Sequence, residues 1–63
     1  MYKLLVYHPG ETVPHEVIVV AKAADVVARI PQVLADHGDC EHVVVTLDEV
    51  RLFAVDCAGN RLP

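Results

Sequence analysis

His37, Asp39, Cys40 and His42 form the densest group of potential metal ligands in the chain, and Cys57 could join them from a later turn. Thiolate and imidazole are the usual zinc ligands. Cys40 and His42, two residues apart, would share one face of a strand beginning that early. The spacing His-x-x-Cys-x-His matches no standard zinc module, however, and a second closely spaced ligand pair is missing. The ordinary alternative is a histidine finishing a helix and a buried thiol behaving as a small hydrophobe. No metal or cofactor is therefore expected, and His37, Cys40, His42 and Cys57 are the candidates that would hold one.

The same segment supplies the only nucleophile–base pair to consider, Cys40 with His42. No third residue is evident to orient the imidazole, and no glycine-rich loop offers an oxyanion or phosphate cradle. Residues at i and i+2 on a strand also lie nearly 7 Å apart, given a rise of ~3.4 Å per residue. A chain this small seldom encloses a substrate pocket of several hundred Å³. The expectation is a protein without catalytic activity. His8 and His15 flank the first turn and could face each other as a pair that titrates near neutrality, although two solvated turn histidines are the more ordinary reading.

These residues have to be positioned by one small domain spanning residues 1–63. Tyr2 to Tyr7 reads as a strand, and His8-Pro9-Gly10-Glu11 as a type II turn with proline second and glycine third. Val13 to Ala21 reads as a second strand, with Pro14 tolerated near its start on an edge. Ala23 to His37 has helical periodicity. Ala23, Val26, Val27, Ile30, Val33, Leu34 and His37 fall on one side, and Asp25, Arg29, Gln32 and Asp36 on the other. Pro31 interrupts the pattern without changing its phase, so one kinked helix is preferred to two short ones. Asp25 and Arg29 are spaced to pair across a turn, and Gly38 is placed for a left-handed cap.

Glu41 to Leu47 and Val50 to Asp56 read as strands joined by a tight hairpin at Asp48-Glu49. Cys57 to Asn60 is a further turn, leaving Arg61 to Pro63 to add at most a stub of a fifth strand. The fold class is α+β in ββαββ order, an antiparallel sheet with one helix on one face.

The strands are apolar on both alternating faces, whereas a half-exposed antiparallel sheet should alternate apolar with polar. One helix covers one face, so the other should present an aliphatic patch of the kind that marks an interface. Val17, Val19, Val43, Val45, Phe53 and Val55 are assigned to that interface. The competing reading is that sheet twist or the C-terminal segment covers it. Asp36, Asp39, Glu41, Asp48, Glu49 and Asp56 would form an acidic rim for a basic partner if the turn joining the third and fourth strands lay near the helix end. Otherwise they are a solvated surface that keeps the protein soluble.

Nine carboxylates against five Lys and Arg give a formal charge of −4. Lys3, Lys22, Arg29, Arg51 and Arg61 never cluster, which argues against nucleic acid and anionic membrane as partners. The first residues lack the long apolar core of a secretion signal, and two cysteines do not make a secreted disulfide framework. A cytoplasmic address is expected. In general layout, the segment Arg51-Leu52-Phe53-Ala54-Val55-Asp56 followed by Cys57-Ala58-Gly59-Asn60-Arg61 resembles small phage- or bacterium-encoded binders, including some anti-CRISPR inhibitors. That resemblance implies inhibition of a partner protein. The residues themselves point to an acidic, homodimeric interaction module that regulates or inhibits a protein, with a metal-binding or redox-sensing domain using Cys40 and His42 as the alternative.

Overall fold

The computed structural model describes all 63 residues, and its element order is β1 (Tyr2–Tyr7), β2 (Glu16–Val20), α1 (Ala23–Asp36), β3 (His42–Leu47), β4 (Val50–Asp56) and β5 (Arg61–Leu62). All strand pairs are antiparallel, in the order β2-β1-β3-β4-β5. The ββαββ reading therefore holds, with the fifth-strand stub in place. β3 is the central strand, and β1 lies between β2 and β3. The helix carries the chain from one side of β1 to the other.

Strand pairing fixes which side chains share a face. Leu4 sits opposite Val45 and Val6 opposite Val43, and these four are the largest fully buried side chains in the molecule. Val26 and Val33 of α1 are buried with them, while Ile30 and Leu34 pack at the margin. Spacings of 4, 3 and 1 along α1 are those of a single helical face laid over the sheet. Val27 was expected on that face, but it is 70% exposed. A step of 100° from Val26 is enough to carry it off the line of contact.

The helix runs unbroken through Pro31. Proline there deprives the Val27 carbonyl of its intrahelical partner, and both residues lie on the exposed side, where water can take up that acceptor. Asp25 and Arg29 are both exposed and form no ion pair. Strand β2 is shorter than expected, starting at Glu16, so Pro14 lies in the loop before it. Gly38 is not the left-handed cap. The helix ends at His37 (φ −121°, ψ 60°), whose N–H donates to the Val33 carbonyl at 3.0 Å.

The turns follow their residue chemistry. Gly10 has φ +82° and the Glu11 N–H donates to the His8 carbonyl at 3.1 Å, as a type II turn requires. Between β3 and β4, Asp48 (φ 49°) and Glu49 (φ 72°) both adopt the left-handed region, the signature of a two-residue I′ hairpin usually written Asn-Gly. A β-bulge follows: Thr46 pairs with Arg51 and Val45 with Phe53, leaving Leu52 as the extra residue.

Truncating the buried quartet should be costly. Leu4→Ala is expected to lower unfolding free energy by about 2–5 kcal/mol in urea titrations, because the cavity forms in the centre of the core. Glu49→Gly should do the opposite and stabilise the fold by about 0.5–1 kcal/mol. Relief of a left-handed non-glycine residue outweighs the added backbone entropy of glycine there.

Candidate functional site

The sheet has two ends and two faces, and the reactive residues distribute unevenly among them. Tyr7 pairs with His42 and His42 with Asp56, so the C-terminal end of β1 lies beside the start of β3 and the end of β4. The helix C-terminus and the loop between β1 and β2 reach the same end. All four histidines lie at this end, His42 stacked on Tyr7 and the other three grouped together.

His8 leaves β1, His15 precedes β2, and His37 caps α1. The rings of His8 and His15 stack with centroids 4.1 Å apart, so the two do face each other across the first loop. His37 stands edge-on to His8, at a centroid distance of 5.3 Å. Its Nδ1 lies 3.1 Å from His8 Nε2, and its Nε2 lies 2.6 Å from Glu16 Oε1. His15 Nδ1 is 3.2 Å from Glu11 Oε1. An ionised carboxylate only accepts, so Glu16 selects the tautomer of His37 that carries its proton on Nε2. The free Nδ1 lone pair then accepts from His8 Nε2–H. The His37 side chain is only 16% exposed, and this chain of contacts ties three separate segments together.

The group His37, Asp39, Cys40, His42 and Cys57 does not assemble as one site. Cys40 and Cys57 are joined in a disulfide, with Cα atoms 5.8 Å apart, a normal bridging separation. Neither cysteine is then a thiolate ligand or a nucleophile. The bridge links the turn after α1 to the end of β4, across a sequence separation of 17. Disulfides of this kind persist in oxidising compartments and are rare in the cytosol, which bears against the reading of these cysteines as ordinary reduced thiols. His42 stacks against Tyr7 at 4.7 Å on the face that α1 does not cover, away from Cys40 in the core. Strand alternation and the bridge thus dismantle the Cys40–His42 pair.

The acidic rim does not assemble either. Asp48 and Glu49 lie at the opposite end of β3 from Asp36, Asp39, Glu41 and Asp56, because β3 is a six-residue strand running between them. Strand length alone separates the two groups by roughly 20 Å. Asp56 instead organises the turn into β5. One carboxylate oxygen accepts from the backbone N–H of Ala58 and of Asn60, each at 2.9 Å, and the other from Asn60 Nδ2 at 3.4 Å. The Asn60 N–H is the largest influence holding the Asp56 pKa below its ordinary value, against a smaller desolvation effect in the other direction. Gly59, at φ +90°, completes that turn.

Four of the six residues assigned to the open face sit on the helix side. Val43, Val45 and Val55 are buried core, and Phe53 is half-buried against it with the Arg61 guanidinium 4.4 Å from its ring centre. Val17 and Val19 do lie on the open face, 49% and 55% exposed. Register places Leu5 and Val44 beside them, together with Lys3, Tyr7, Thr46 and His42. The polar members of that set are the sequence signal for the outward phase. Two shallow clefts exist. One, about 340 Å³, lies between the end of β2 and the start of α1, and the other, about 230 Å³, between Lys3, Leu5, Thr46 and Glu49. Neither touches a histidine.

Because the folded pKa of Asp56 is depressed, its stabilising contribution is complete above the unfolded value, about 3.9, and fades as pH falls through the folded one. Asp56→Ala should therefore be less stable than the parent at neutral pH. That difference should narrow in urea titrations carried below pH 4.

In comparisons with known proteins, no family model, no curated protein and no solved structure matches this chain.

Proposed function

We propose that the protein is a non-catalytic interaction module that pairs with a second copy of itself through the open face of its sheet, and in that form regulates or inhibits a partner protein. The observation that supports this most directly is a sheet face with no covering element, on which Leu5, Val17, Val19 and Val44 adjoin across β2, β1 and β3. Leu52, the extra residue of the bulge, is also 47% exposed.

A second copy suits this face for two physical reasons. Only 11 of 63 residues are buried, so a single layer of helix on sheet leaves the core thin. Small domains often make up that deficit by association. The molecule measures 28 × 22 × 21 Å, so its broad face offers on the order of 600 Å², approaching the ~800 Å² per partner of a standard interface. Each valine or leucine that becomes fully buried contributes roughly 1.5–3 kcal/mol. Lys3 and Glu49 stand 3.8 Å apart at one margin and supply an exposed, charged rim.

A non-catalytic role is supported by the disulfide, which removes the one candidate nucleophile, and by the lining of the two clefts, which includes no histidine. No helix is long and apolar enough to cross a membrane. The formal charge of −4 favours a protein partner over a phosphate backbone.

Sedimentation equilibrium at micromolar concentration should return the mass of a dimer. Val19→Lys and Val44→Lys should each shift that mass to the monomer, while Val27→Lys on the outer side of α1 should leave it unchanged. A monomeric parent protein, or dissociation caused equally by Val27→Lys, would overturn the proposal.

A further inference from the structure

The convergence of His8, His15 and His37 is not needed for the fold's hydrophobic core and lies away from the open sheet face. His8 and His15 come from the two ends of the β1–β2 loop and His37 from the end of α1, and the three rings adjoin at the end of the sheet. His8, Glu11 and His15 already hold one ligand atom apiece within 4.8 Å of one another. His37 Nδ1 stands outside that group of three but only 3.1 Å from His8 Nε2.

We infer that His8, His15, His37 and Glu11 form a binding site for a late first-row divalent cation of the zinc type. The donor set is the first reason. Imidazole and carboxylate suit zinc, and borderline cations of this series prefer nitrogen donors to an all-oxygen shell. Spacing is the second. Two ligand atoms ~2.0–2.1 Å from zinc at a tetrahedral angle lie about 3.3–3.4 Å apart. The His8–His37 nitrogen pair stands at 3.1 Å and the His15–Glu11 pair at 3.2 Å, each close to one edge of such a tetrahedron. The two edges do not yet surround one point, and rotation of the His8, His15 and His37 rings is the movement that would close them on one ion.

The third reason is the carboxylate behind the site. Metal-bound histidines almost always donate their other ring N–H to a carboxylate or carbonyl, which fixes the tautomer and raises ligand basicity. Glu16 does this for His37 at 2.6 Å. The lone pair left on Nδ1 is the one turned toward His8, and the cation takes the place between the two rings as the His8 proton shifts from Nε2 to Nδ1. Four protein ligands fill a tetrahedral shell, as in closed structural sites, whereas catalytic zinc keeps a position open for water. The bound ion therefore cross-links the β1–β2 loop to the end of α1.

The test uses the full chain without an affinity tag, titrated with Zn²⁺ alone and separately with Co²⁺ alone. One ion per chain should bind. Co²⁺ should give the intense visible absorption of a tetrahedral centre, and the midpoint of thermal unfolding should rise with Zn²⁺ concentration, since binding only the folded state stabilises it. His8→Ala, His15→Ala and His37→Ala should each weaken binding by tenfold or more. Glu16→Gln should weaken it by a smaller factor while leaving the stoichiometry at one. His42→Ala, which removes the fourth histidine on the opposite face, should leave affinity unchanged. Circular dichroism of each apo variant separates loss of a ligand from loss of the fold. The assignment is overturned by binding that His42→Ala weakens as much as His37→Ala. Octahedral Co²⁺ spectra, or an unfolding midpoint indifferent to Zn²⁺, would overturn it equally.

Discussion

Everything in this molecule depends on a pairing in the middle of the sheet, where Leu4 meets Val45 and Val6 meets Val43 beneath α1. Five strands and one helix cannot enclose two dry faces. The helix lies over β1 and its neighbours, and the four fully buried side chains are those directly under it. From that choice follow the outward phase of Val44 and Leu5, the exposure of Val17 and Val19, and the need for something beyond the chain to cover them. The fold is a two-layer sandwich with one layer exposed on its back.

Polar chemistry is sorted along the other axis. One end of the sheet carries the left-handed Asp48-Glu49 hairpin. The other gathers the histidines, the Cys40–Cys57 bridge and the Asp56 turn. The second end has more to hold together, because the β1–β2 loop, the close of α1, the start of β3 and the β4–β5 turn all meet there. His37 is its hinge point: its ring bridges to Glu16 and His8, while its carbonyl accepts from the Cys40 N–H at 3.0 Å. The ring of the residue that closes the helix thus ties α1 to the β1–β2 loop and to β2.

The element order and most boundaries were legible because their signals are local. Pro9-Gly10 implies its turn, helical periodicity implies α1 through Pro31, and a two-residue gap implies the β3–β4 hairpin. The facing of the strands was not, and the reason is specific. When residues i and i+1 are both valine, as at Val43, Val44 and Val45, period-two alternation carries no phase. Only the few polar strand residues break the tie. Lys3, Thr46 and His42 share the parity of Val44, which marks that side as the outer one. The histidine site was half visible. His8 and His15 flank one turn and were recognisable as a pair, but His37 was grouped with its sequence neighbours Cys40 and His42. Its true partners lie 29 and 21 residues away, brought close by strand pairing that no local pattern encodes.

The crossing of α1 over β1 has a consequence for how the chain must come together. β1 with β2, and β3 with β4, are each neighbours in sequence and can pair locally. Neither hairpin alone has a dry interior, since Leu4 and Val6 belong to one and Val43 and Val45 to the other. Burial begins only when the two halves meet along the β1–β3 seam, and that meeting closes a loop of some tens of residues at an entropic cost that grows only slowly with length. The halves are therefore not separable folding units. A cut in the helix that lets them drift apart would leave two solvated hairpins, because the hydrophobic interior exists only as the join between them.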